Sequence, residues 1–143
     1  MGNLSKHFDI QEFVPKPIYE LYGDKSRWFI NPKVVDIAEF IRGEFMLPVI
    51  INNWHTGGTF QERGYRVPTT QTGARYSQHK FGNAIDINVK GIPSPELAEW
   101  IIAAFPTLKG LGLTAIEHPE DTPTWTHLDV RWHLGGELLI VRP

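Results

Sequence analysis

Cysteine is absent from this chain of 143 residues, which excludes disulfides, thiolate metal sites and cysteine nucleophiles. Long apolar runs are also missing, since no stretch approaches the roughly 20 residues that a helix needs to cross a bilayer. The 14 basic and 16 acidic residues are scattered, whereas nucleic-acid-binding surfaces concentrate their basic residues. We therefore expect neither a membrane nor a nucleic acid as partner.

Apolar residues make up 41% of the chain and charged residues 21%, as is ordinary for a globular domain. A chain of this length can bury about two thirds of its unfolded surface around one core. We expect a single domain over residues 1–143, with an N-terminal arm and helix over 1–46 and a core unit over 47–143. No heptad pattern or large apolar stripe predicts self-association, so we expect a monomer.

Hydrophobic periodicity predicts an α+β fold. Asn31 followed by Pro32 is typical of a helix start, and apolar residues at helical spacing continue to about residue 45. A second helix opens at Ser94. Apolar or alternating runs predict strands over 48–53, 84–89, 110–117, 124–132 and 138–141. Because Gly135 and Gly136 favour a turn, we expect a C-terminal antiparallel meander, in an antiparallel sheet with helices packed on one face.

Three potential metal ligands lie on or beside these strands. His79 precedes the strand over 84–89, while Asp86 and His127 alternate with apolar residues that face the core. Imidazole nitrogen and carboxylate oxygen both bind zinc, and three protein ligands leave a fourth position open, as in catalytic sites. We therefore expect one Zn²⁺ here. The alternative is that each histidine is an ordinary surface or hydrogen-bonded residue and that Asp86 caps a strand or pairs with Arg75.

A Gly- and Thr-rich stretch over residues 56–72 lacks periodicity, and a loop this long inside a compact domain usually serves function. Its residues Arg63 and Arg66 carry guanidinium groups that match the geometry of peptide carboxylates. The alternative role for each arginine is to keep the loop soluble. Trp54 and Trp125 are candidates for cleft walls, and the alternative for both is a place in the core.

Two motifs carry a resemblance to a known family: Ser77-x-His79-x-x-Gly82-x-Ala84-x-Asp86 and Trp125-x-His127-x-Asp129. They resemble the signature of the hedgehog/D-Ala-D-Ala peptidase superfamily, in particular its small zinc peptidases that cut peptidoglycan stem peptides. The resemblance covers about residues 47–133. It implies a hedgehog/DD-peptidase-like fold, in which His79, Asp86 and His127 bind zinc and Arg75 and Ser77 contact substrate.

The chain departs from the family at the general base. Members that cleave D-Ala-D-Ala often carry a glutamate three residues before the second zinc histidine, and that position is Thr124 here. Other members place an acid or a histidine at the end of the preceding strand, which implies Glu117 as the catalytic base, with Asp121 and His118 as alternatives. The other interpretation of Glu117 is a solvated carboxylate at a strand end.

The resemblance implies a zinc-dependent metallopeptidase that hydrolyses an amide bond in peptidoglycan stem peptides, as a D-Ala-D-Ala carboxypeptidase or an endopeptidase. One alternative is a non-catalytic phage or cell-wall-binding module that retains the fold and metal site. Another is an amidase or other hydrolase that uses the same metal on a different substrate. Residues 1–8 lack the apolar centre of a signal peptide. We therefore expect cytoplasmic synthesis, and action on the wall after release or as a phage-associated protein.

Overall fold

Five strands form one mixed sheet. The computed structural model describes all 143 residues, and its strands are β1 (Val49–Ile50), β2 (Ala84–Val89), β3 (Ala115–Glu117), β4 (Thr126–Asp129) and β5 (Leu139–Val141). They lie in the order β1-β2-β4-β3-β5, and every neighbouring pair is antiparallel except β3 and β5. The α+β class of a small single domain is confirmed.

The predicted antiparallel meander at the C-terminus is wrong. The chain reverses between β4 and β5, but β5 pairs in parallel with β3, so that Ala115 lies opposite Leu139. The reason is that β4 is flanked by β2 and β3 and has no free edge for a hairpin partner. Because β5 takes the free edge of β3, the sheet is mixed and not antiparallel throughout.

Four α-helices accompany the sheet: α1 (Lys16–Tyr22), α2 (Pro32–Phe45), α3 (Ser94–Ala103) and α4 (Phe105–Gly110). The prediction for α2 is confirmed, and the Asn31 side chain caps it by accepting a hydrogen bond from Lys33 N at 3.0 Å. The strand predicted over 110–117 is shorter than expected, since pairing begins only at Ala115. No helix has the length and apolar character needed to cross a membrane.

The two faces of the sheet differ in character. On one face, Ile85 and Leu128 are completely buried, in an apolar cluster that also contains Leu97 of α3. Because side chains alternate along a strand, Asp86 and His127 point to the other face. The core around α3 thus supports one side of the sheet, and polar side chains gather on the other.

The N-terminal arm packs into the same core. Its most deeply buried apolar side chains are those of Phe8, Ile10, Phe13 and Val14. The arm also pairs with the loop that follows β1, because Asn52 N donates to Glu12 O at 3.0 Å and Tyr65 N donates to Phe13 O at 2.7 Å. The arm therefore fixes the long loop that lies over the polar face.

Candidate metal centre

Three side chains bring their donor atoms together on the polar face of the sheet. His79 Nε2 lies 3.2 Å from Asp86 Oδ1, and His127 Nδ1 lies 2.9 Å from the same oxygen. The two ring nitrogens are 3.2 Å apart. All three residues are buried. The structure thus gathers the three predicted ligands into one group that could hold a metal ion.

Hydrogen bonds on the far side of each imidazole determine which nitrogen faces the centre. His79 Nδ1 lies 2.7 Å from Gly64 O, and His127 Nε2 lies 2.8 Å from Asp129 Oδ2. Both oxygens are acceptors, so these far-side nitrogens carry protons. The near-side nitrogens then direct their lone pairs at each other and at the Asp86 carboxylate. Such a group needs positive charge at its centre, from a proton or a metal ion.

The donor set fits zinc. In a tetrahedral site with ligand distances of about 2.0–2.2 Å, neighbouring donors lie about 3.3–3.5 Å apart. The separations here, 2.9 Å and twice 3.2 Å, require only a small outward movement. The group has three members, two imidazoles and one carboxylate. A zinc ion held by these three residues would keep a fourth position for water or substrate, as in catalytic zinc sites.

A short turn positions His79 next to β2. Ser77 caps the 3₁₀ helix Gln78–Phe81, with its Oγ accepting from His79 N at 3.3 Å. The helix ends at Gly82, whose φ of 70° lies in the left-handed region. A Cβ at this position would lie 2.0 Å from Phe29 O. Glycine is therefore required here both by conformation and by space.

Sheet register aligns Asp86, His127 and Glu117 across three strands. Asp86 of β2 lies directly opposite His127 of β4. On the other side of β4, Ile116 lies opposite Leu128, so the next residue of β3, Glu117, falls opposite His127. Directly opposite residues point to the same face of a sheet. The predicted base and the predicted ligands therefore share one face.

Asp129 and Arg131 hold His127 in its orientation. The Asp129 carboxylate accepts hydrogen bonds from Arg131 Nε at 2.8 Å and Nη2 at 2.6 Å. Ala84 and Ala115 lie opposite Asp129 on the two flanking strands, and their small side chains leave room for this ion pair. Burial alone would raise the pKa of Asp129, but hydrogen bonds from Arg131 and His127 lower it to about 2. The carboxylate therefore stays charged.

Both oxygens of the Asp86 carboxylate have partners. Its Oδ1 faces the imidazoles, while its Oδ2 accepts a hydrogen bond from Arg66 Nη2 at 3.2 Å. Burial would raise the pKa of Asp86, but His79 and His127 hold it well below its usual range. Burial would lower the pKa of His127, but Asp129 and Asp86 raise it to about 9. A metal ion at this centre would have to displace the proton on His127, so its binding would weaken as the pH falls.

Two hollows open beside the triad and form one cleft. Their volumes are about 850 Å³ and about 420 Å³, within the usual range for small-molecule sites. Arg66, Asp86 and Trp125 line both hollows, while His79 and His127 line the smaller one. The buried triad is thus reached from a surface cleft.

The predicted substrate and base residues fall into two groups. Those that line the cleft are Arg63, Arg66, Ser77, Glu117, Asp121 and Trp125. Arg75 lines neither hollow; it is exposed, and its guanidinium lies 5.3 Å from the centre of the Tyr76 ring. It does not pair with Asp86, whose arginine partner is Arg66. His118 also lies outside the cleft lining, where its Nδ1 accepts from Glu120 N at 3.2 Å.

Three groups in the site had no role predicted from sequence: Asp129, Arg131 and the backbone carbonyl of Gly64. The first two carried a usable signal, because alternate residues of a strand share a face and both follow His127 at this spacing. A backbone carbonyl has no signature in the amino-acid sequence.

Comparisons of the chain with profiles of known families, with characterised proteins and with solved structures found no match. The residues of the two motifs and the geometry of the triad are therefore the basis for a functional proposal.

Proposed function

We propose that the chain is a zinc-dependent metallopeptidase that hydrolyses an amide bond in peptidoglycan stem peptides. One observation carries the proposal: donor atoms of His79, Asp86 and His127 converge within 3.2 Å of one another beside an open cleft. Three such ligands favour catalytic over structural zinc, since structural sites are usually closed by four protein ligands. The motif resemblance supports the hedgehog/DD-peptidase-like fold and the peptide substrate.

When bound, zinc polarises a carbonyl group and lowers the pKa of a bound water to about 7. The chain supplies the remaining functions. Glu117 accepts a proton from water and passes it to the leaving amine, a role that contributes roughly 10²–10⁴ in rate. Arg66 holds Asp86 through Oδ2, so that Oδ1 stays directed at the centre. Asp129 fixes the orientation of His127.

Glu117 is the best placed of the three candidate bases. It lines the smaller hollow together with His127. Asp129 is the main cause that raises the pKa of Arg131, and the charge of Glu117 adds to this effect, so the Glu117 carboxylate lies near Arg131. Asp121 lines the same hollow but accepts a hydrogen bond from Arg142 Nε at 3.1 Å. His118 lies outside both hollows.

The alternative is a non-catalytic cell-wall-binding module that keeps the metal. One observation favours it: Thr124 stands where related peptidases often have their glutamate. The two functions differ in whether a stem peptide is cut after it binds.

The decisive experiment treats synthetic stem peptides with zinc-loaded protein and identifies products by mass spectrometry. We expect about one zinc per chain and the release of D-alanine or of new amino termini. His127→Ala should abolish both zinc binding and cleavage. Glu117→Gln should keep the zinc while kcat falls by roughly 10²–10⁴. Glu96→Gln, which removes an exposed carboxylate from α3, is the matched control and should leave kcat unchanged.

Full zinc occupancy without cleavage of any stem-peptide bond would reject the peptidase and support the binding module. Unchanged turnover in Glu117→Gln would transfer the role of base to Asp121.

A further inference from the structure

The guanidinium of Arg63 lies beside the triad without a full set of partners. Its Nη1 is buried and has no hydrogen-bond partner. Burial lowers the pKa of Arg63, and the nearby Asp86 carboxylate partly offsets this effect. Buried donors in native proteins nearly always have a partner, and an unpaired one calls for an explanation. Arg63 lines the larger hollow, the one that extends from Asp86 to Phe60.

The position of Arg63 is fixed from three directions. Its backbone N–H donates to Asn52 Oδ1 at 2.9 Å, and its carbonyl accepts from Asp86 N at 2.7 Å. Its guanidinium carbon lies 4.3 Å from the centre of the Phe60 ring, within the range of a cation–π contact. The cation is therefore held at a defined distance from a predicted metal ligand.

The carboxylates on this side of the cleft are engaged elsewhere. Asp86 pairs through Oδ2 with Arg66 and through Oδ1 with the imidazoles. Glu62 accepts hydrogen bonds from two threonine hydroxyls. Since neither acid forms an ion pair with Arg63, its positive charge remains available to a ligand in the hollow.

We propose that Arg63 is the carboxylate anchor of the larger hollow, and that the substrate peptide carries a free carboxylate near the bond to be cut. This inference rests on the proposed peptidase function and specifies its substrate chemistry. The guanidinium fork matches a carboxylate, and charge-assisted hydrogen bonds are about twice as strong as neutral ones. The sequence makes Arg63 and Arg66 equivalent, but the structure commits Arg66 to Asp86 and leaves Arg63 free.

The test compares three forms of a synthetic stem pentapeptide on zinc-loaded protein. One form has all its carboxylates, one is amidated at the C-terminus, and one is amidated at the glutamate α-carboxyl group. The preference for the peptide with all its carboxylates over an amidated form is measured as a ratio of kcat/KM values if the peptides are cut. If they stay intact, it is measured as a ratio of dissociation constants. We expect at least a tenfold preference over one amidated form, which identifies the carboxylate that Arg63 binds.

In Arg63→Gln the preference should fall below about threefold, and in Arg63→Lys, which keeps the charge without the fork, it should be intermediate. Arg27→Gln removes an exposed arginine that lines neither hollow and should leave the preference unchanged. Thermal unfolding confirms that each variant is folded.

Two results would overturn the proposal: a wild-type protein that treats all three peptides alike, or an Arg63→Gln variant that keeps the full preference. The second result would mean that Arg63 only packs on Phe60. If the peptides are not cut but their dissociation constants still show a preference that depends on Arg63, the peptidase function is rejected and the role of Arg63 as carboxylate anchor is supported.

Discussion

At the scale of single residues, a carboxylate that is not itself a ligand controls the orientation of His127. Asp129 is completely buried. Its Oδ2 accepts from both His127 Nε2 and Arg131 Nη2, and its Oδ1 accepts from Arg131 Nε. Since a ring nitrogen that donates to a carboxylate cannot bind metal, Asp129 leaves Nδ1 as the nitrogen of His127 that could bind the proposed zinc ion. The Asp129–Arg131 pair therefore determines which nitrogen of His127 faces the candidate metal centre.

Replacing Asp129 with asparagine should weaken zinc binding by about 10- to 100-fold, because the amide is a poorer acceptor for the imidazole N–H and loses the ion pair with Arg131. Competition with a chromophoric chelator measures the affinity, and circular dichroism shows that the variant is folded. Asp36→Asn, at an exposed position of α2, is the matched control. Equal affinities for the Asp129→Asn variant and the wild-type protein would show that Asp129 does not orient the ligand.

At the scale of elements, the turn between the 3₁₀ helix Gln78–Phe81 and β2 links the candidate metal centre to α2. Asn31 caps α2 with its side-chain oxygen, and its amide nitrogen donates to Asn83 Oδ1 at 3.1 Å. The backbone N–H of Asn31 donates to Gly82 O at 3.0 Å. Asn31 thus joins the start of α2 to the motif that carries two of the predicted ligands, His79 and Asp86.

Gly82→Ala should destabilise the protein by more than about 2 kcal/mol, because alanine adds left-handed strain and its Cβ would displace the Phe29 carbonyl. Gly91→Ala separates the two effects. Gly91 has a φ of 83° but no atom within 4 Å of a Cβ, so its substitution should cost only about 1 kcal/mol. Urea unfolding measures both. Similar losses in the two variants would show that contact with Phe29 is unimportant.

The helices and strands that could be predicted from the sequence are those with a signal in their own residues. α2 has its cap and its proline at the start, and alternation along β2 and β4 places Asp86 and His127 on one face. The partner of β5 could not be derived in this way, because it depends on which strand edges remain free after β2 and β3 have flanked β4. The pairing of Asp86 with Arg66 likewise depends on the path of the long loop.

At the scale of the whole molecule, the N-terminal arm carries a partly buried carboxyl group, that of Glu12, whose ionisation affects the stability of the fold. The side chain of Glu12 accepts from Asp9 N at 2.7 Å and is partly buried between the arm and the residues after β1. Burial is the main cause that raises the pKa of Glu12 to about 7; repulsion from Asp9 and Glu39 adds to it, and the hydrogen bond from Asp9 N opposes it. His55, with its Nε2 3.8 Å from Asp9 Oδ2, is the nearby basic group.

This pKa makes the stability of the fold depend on pH. The pKa of Glu12 rises from its ordinary value of 4.5 to about 7, so between these values the folded state keeps a proton that the unfolded state has lost. The free energy of unfolding therefore falls as pH rises through this window and levels off above it. A full shift corresponds to about 1.4 kcal/mol per pH unit, but partial exposure of the carboxyl group reduces the effect to roughly 1–2 kcal/mol in total.

Glu12→Gln keeps a hydrogen-bond acceptor for Asp9 N and removes the charge. We therefore expect the variant to be more stable than the wild-type protein at pH 8, by roughly 1–2 kcal/mol, and to gain much less at pH 5. Urea unfolding of metal-free protein at the two pH values measures the difference. Glu44→Gln, at an exposed position of α2, controls for the loss of one negative charge. A gain of the same size at both pH values would mean that Glu12 is already ionised in the folded protein at pH 5, and that the arm exerts no pH control over the fold.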